Sequence, residues 1–105
     1  MRPARAGLLA LATFGLLANA CAATAVPAPL VLARLSFERV SKSPAAAVAP
    51  RPIEDARMSL AKANQEFATN GDTGICRDYA YIVENELEAA EAAERAELAR
   101  RALGE

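Results

Sequence analysis

Apolar residues return every three or four positions over most of the chain after residue 29, the period of a helix with one buried face. Leu30, Ala33, Phe37 and Val40 follow a 3-4-3 spacing and predict a first helix, stopped by Ser41 to Ser43 and Pro44. The proline-containing stretch 45–52 reads as a loop. Ile53, Ala56, Leu60, Ala63 and Phe67 run 3-4-3-4 and predict a second helix. Pro52 suits its first position, where a missing N–H costs nothing, and Glu54 and Asp55 face the positive end of the helix dipole. Asn70-Gly71 closes it. Asp72 or Thr73 can cap a third helix reaching about Leu103, with Tyr79, Ile82, Val83, Leu87, Ala90 and Ala93 as its stripe. Ala92, Ala96, Ala99 and Leu103 continue its periodicity with smaller side chains. No strand pattern interrupts these runs. The expectation is an all-α module over 30–103, three helices with the second and third packed antiparallel and the first beside them.

A different pattern precedes residue 26. Arg2 and Arg5 are followed by an uncharged run from Ala6 to Ala18, then by the small-residue exits Ala18-Asn19-Ala20-Cys21 and Ala23-Thr24-Ala25. A positive start, a short apolar segment and an A-x-A site together predict a cleaved signal peptide over 1–25. The apolar run is shorter than the roughly 20 residues that a helical bilayer crossing needs. Val26 to Pro29 follows as a linker, its two prolines favouring extended backbone.

Cys21 stands where a bacterial lipoprotein carries its lipid, directly after the small Ala20. Ala18 replaces the usual Leu and Asn19 is a poor fit between them, so cleavage after Ala20, Ala23 or Ala25 to release a soluble protein is the rival reading. Either way the destination is outside the cytoplasm, in the periplasm or at the outer membrane. The membrane would be met only through a lipid on Cys21.

Composition narrows the chemistry. Of twelve Lys and Arg, Arg2 and Arg5 fall in the signal, leaving ten against thirteen Asp and Glu. A mildly acidic domain lacks the basic footprint of a nucleic-acid binder. The chain has no His, which removes the usual general base and the commonest metal ligand. Few large apolar side chains follow residue 29, so the core must be thin. Cys76 is the sole Cys beyond the signal region and excludes a disulfide framework. It fits a semi-buried small residue near a helix start, with a free thiol, a link between chains, or pairing with a retained Cys21 as the other readings.

Glu84, Glu86, Glu88, Glu91 and Glu94 form a carboxylate-rich stretch, and Glu84, Glu88 and Glu91 share one face. Carboxylate metal sites usually draw ligands from several helices together with His, so a solvated acidic face is the better account. Glu91–Arg95 and Glu97–Arg101 are favourable i,i+4 pairs. Asn70-Gly71-Asp72-Thr73-Gly74 lacks the Gly-Lys-Ser/Thr ending of a phosphate loop and reads as a turn. No nucleophile stands beside a base. The residues thus offer no catalytic, cofactor or metal site, and Cys21 is the single candidate for modification.

The residues Ala33-Arg34, Ser43-Pro44-Ala45-Ala46, Ala49-Pro50, Ile53 to Ala63, Gly71-Asp72-Thr73 and Arg77 to Val83 carry a family likeness. The chain resembles the small helical module known as domain of unknown function 4398, found in Gram-negative envelope proteins and often ahead of an OmpA-like peptidoglycan-binding domain. The resemblance implies a helical envelope protein. It implies no catalytic residues, and these 105 residues hold no OmpA-like domain that would bring peptidoglycan binding with it. A non-enzymatic protein working through helix-to-helix contact with an envelope partner or itself is the leading expectation. The alternative is a small cation- or ligand-binding factor that uses the acidic face of the third helix.

Overall fold

The computed structural model describes residues 25–104; the rest of the predicted signal peptide, Cys21 included, lies outside them. The described residues form α1 (Ala28–Ser41), α2 (Ala45–Val48), α3 (Pro50–Asn70) and α4 (Gly74–Gly104), with no strand among them. The fold is all-α, as the periodicity predicts.

Three boundaries differ, all through proline. Ala28 and Pro29 belong to α1 and not to a linker. Pro27 stays extended, with φ −64° and ψ 145°, and its carbonyl accepts from Leu30 N and Val31 N at 3.1 and 3.2 Å. Pro50 likewise opens α3 two residues before Pro52, which moves Glu54 and Asp55 out of the first turn. Both prolines sit where helical N–H groups have no intrahelical acceptor, so neither interrupts the ladder. The predicted loop 45–52 instead contains α2, with Ala45 and Ala49 buried. Ser43 sets up this turn: its Oγ donates to Val40 O at 2.7 Å and accepts from Ala45 N at 3.2 Å.

Side-chain ties give the helix directions. Ser59 Oγ donates to Glu86 Oε1, and Cys76 Sγ lies 3.6 Å from Ala63 O, so α3 and α4 run antiparallel. Arg34 Nε reaches Asn64 Oδ1 at 2.8 Å and the Arg57 guanidinium stands over Phe37, so α1 is antiparallel to α3. Leu30 clusters with Cys76, and Arg39 reaches Glu91 at 3.2 Å farther along, so α1 and α4 are parallel.

The core is built largely of alanine. Ala33, Ala45, Ala56, Ala63, Ala80 and Ala90 are fully buried, while Phe37, Leu60, Phe67 and Tyr79 pack at the margins, half-buried. The buried stripe of α4 is Cys76, Ala80, Val83, Leu87 and Ala90, and Ile82 of the predicted stripe is exposed. Small residues hold most of the buried positions, joined by Leu30, Val40, Ile53, Val83 and Leu87.

Candidate functional site

Three places carry the residues from which chemistry could be built: the turn between α3 and α4, the acidic side of α4, and its C-terminal end.

At the turn, Gly71 has φ 77° and ψ −152°, a region essentially reserved for glycine. Thr73 is the N-cap of α4, accepting from Cys76 N at 3.1 Å, and its hydroxyl donates to Glu66 Oε1 at 3.1 Å. Asp72 instead holds Arg77 through two bonds, Nε to Oδ1 at 2.7 Å and Nη2 to Oδ2 at 2.8 Å. The Arg77 hydrogen bonds keep the Asp72 carboxyl below the ordinary carboxylate range. Cys76 is fully buried and has no disulfide partner among the described residues. Burial, reinforced by Asp72 and Glu66, pushes its thiol upward. Such a sulfur is protonated and shielded, so a link to another chain would require unfolding. Beside the turn an open hollow of about 300 Å³ is lined by Lys62, Gln65, Glu66, Thr69, Asn70 and Tyr79, with the Lys62 ammonium 5.8 Å from the Tyr79 ring centroid.

Along the acidic stretch of α4, three carboxylates are separately committed. Glu86 accepts from Ser59, Glu88 pairs with Arg95 at 3.0 Å, and Glu91 pairs with Arg39 at 3.2 Å. Arg95 therefore reaches back to Glu88, and the predicted Glu91–Arg95 pair does not form because α1 supplies Glu91 with a different partner. Glu97–Arg101 does form, at 3.1 Å. Glu84 keeps one buried carboxylate oxygen without a hydrogen-bond partner. Among the described residues no group of three acidic or Cys side chains is arranged to hold a metal ion.

At the C-terminal end, the last buried residue is Ala90. Extending the buried stripe beyond it leads to Glu94, Glu97 and Arg101, which cannot continue an apolar seam. Ala92, Ala96, Ala99 and Leu103 lie on the opposite side of α4, all exposed, with Leu103 at 90%. They do not prolong the core as the sequence led one to expect; they form a second apolar stripe on a helix end that nothing covers among the described residues.

The profile of a domain of unknown function, DUF4398, matches residues 28–105, from the first residue of α1 onward. The chain belongs to this family. The DUF4398 match covers α1 to α4 together, so the four helices form the family's module and the turn and both faces of α4 lie inside it. Comparison with the curated proteins and with the solved structures returns no match to this chain. Cys21 precedes the DUF4398 match as well as the described residues.

Proposed function

We propose that this chain is a non-enzymatic, exported protein of the cell envelope, periplasmic or held at the outer membrane by a lipid on Cys21, that works through helix-to-helix contact with a protein partner or a second copy. The observation that carries this reading is the free end of α4. Ala92, Ala96, Ala99 and Leu103 present an apolar stripe at 4-3-4 spacing, pointing away from the core. Small residues at that spacing let a second helix approach closely, and Glu97, Arg100 and Arg101 beside it offer both signs of charge. The cation-binding alternative has less in its favour, since two of its three clustered carboxylates, Glu88 and Glu91, are each paired with an arginine and only Glu84 is left without one among the described residues.

The test is site-specific photocross-linking in cells, with the cross-linker at Ala99 and, for comparison, at exposed Met58. A discrete adduct from position 99, lost on Ala96→Glu and absent from position 58, agrees with the reading. Sedimentation of the purified protein distinguishes a second copy from a foreign partner. Equal or absent adducts at both positions would overturn it. Export and the anchor are tested separately by cell fractionation and by incorporation of labelled fatty acid, which Cys21→Ser should abolish.

A further inference from the structure

α1 is apolar on both sides of its first two turns. Leu30 and Ala33 face inward and are fully buried. Val31, Leu32 and Leu35 face outward and are 40%, 58% and 63% exposed. Val31 and Leu35 are one turn apart and Leu32 lies three residues before Leu35, so the three side chains adjoin. A helix apolar all round is normally covered on every side.

Chain length indicates what covers it. Ala28 follows Cys21 by only seven residues, at most about 25 Å of extended chain. The uncharged stretch that begins at Ala6 runs through Cys21 and on to Ala33, so the first charge after Arg5 is Arg34. A lipid on Cys21 therefore brings the first turns of α1 to the bilayer surface, and no charged side chain intervenes to hold them off. Resting on the lipoprotein reading above, we infer that Val31, Leu32 and Leu35 dock into the interfacial region of the membrane that carries the Cys21 lipid. The bundle then lies against the lipid on its α1 side and does not swing free on a tether. A second contact of this kind adds apolar burial to the acyl anchor, as peripheral helices do.

The chain contains no Trp, so a single one reports its own surroundings. Leu35→Trp and Met58→Trp are compared in the full-length protein, processed in cells and reconstituted in phospholipid vesicles containing brominated acyl chains. Met58 is exposed on α3 and controls for the membrane affinity of Trp itself. Fatty-acid incorporation is measured on the same samples. The inference requires that emission from the Leu35→Trp variant shift to the blue and be quenched, while emission from the Met58→Trp variant is not. Neither quenched, or both equally, with fatty acid incorporated, overturns the docking and leaves the anchor standing. Absence of fatty acid overturns the anchor and the docking together.

Discussion

Cys76 Sγ lies 3.6 Å from the carbonyl oxygen of Ala63, which ties together the two helices that leave the Gly71 turn. A thiol in that position is a packing group of the helix pair. Native protein should therefore resist alkylation at neutral pH and react readily only in denaturant. Because burial raises the thiol pKa in the folded state, its contribution to stability is intact below the unfolded thiol pKa. That contribution is lost as pH climbs through the folded value. Alkylation of folded protein at the rate of the unfolded chain would contradict this placement.

Asp72 titrates in the opposite sense. Its pKa is lowered by Arg77, so its contribution is present above the ordinary carboxylate range and disappears as pH falls through the folded value. Asp72→Asn should flatten the acid limb of a melting-temperature profile. The group is solvent-exposed, so the change should also shrink in high salt.

Gly71→Ala tests the turn without touching packing. A Cβ there meets nothing within 4 Å, so the whole penalty is backbone strain at φ 77°, ψ −152°. A loss of about 1–3 kcal/mol in denaturant unfolding is the expected result.

The alanine core predicts an inverted sensitivity. Leu87→Ala, at a side chain 1% exposed, should cost about 2–5 kcal/mol. Ala80→Leu adds apolar surface at a fully buried site and yet should destabilise by about 1–3 kcal/mol or more, since α1 and α3 must move apart. Phe67→Ala should fall below the Leu87 value because Phe67 is only half-buried, and Met58→Ala should stay within about 0.5 kcal/mol. Thermal melts of the chain from Val26 onward would rank all four.

The free end of α4 should be the least protected part of the module. Amides beyond Ala96 should exchange with solvent far faster than those from Ala80 to Ala90, and removing residues 96–104 should leave the bundle's melting temperature nearly unchanged. The Glu97 pairs with Arg100 and Arg101 are worth only about 0.2–0.5 kcal/mol each on an isolated helix.

Much of this architecture is legible in the sequence, and the exceptions share a cause. The stripes through Ala56 and Ala63 are read correctly because α3 carries one dominant apolar face, and the stripe through Ala33 because Leu30, Phe37 and Val40 continue it at helical spacing. On α4 the larger Tyr79 and Ile82 draw attention from Cys76 and Ala80, which occupy the centre because two helices converge there. Periodicity likewise finds the Ala92 to Leu103 stripe but cannot say that α1 and α3 lie on the other side. The Glu91–Arg39 pair spans 52 residues, a separation that no local rule anticipates. Of the candidate site, the turn and a cap from Asp72 or Thr73 were readable from Asn70 to Gly74, the partners Glu66 and Arg77 were not, and Cys21 lies outside the described residues.

Alanine faces are nearly smooth, and this bears on what fixes the sliding position of one helix along another. Low ridges offer little resistance to a shift by one turn, so a wholly alanine seam would admit several alignments. Here the ambiguity is removed at discrete stations. Leu30 sits with Ala63 and Cys76 at one end, and Val40, Ile53 and Leu87 mesh at the other. Between and beside them, Arg34–Asn64, Ser59–Glu86 and Arg39–Glu91 act as index marks that match in a single alignment. These polar ties are individually weak, and their importance is in selecting one frame from several close in energy.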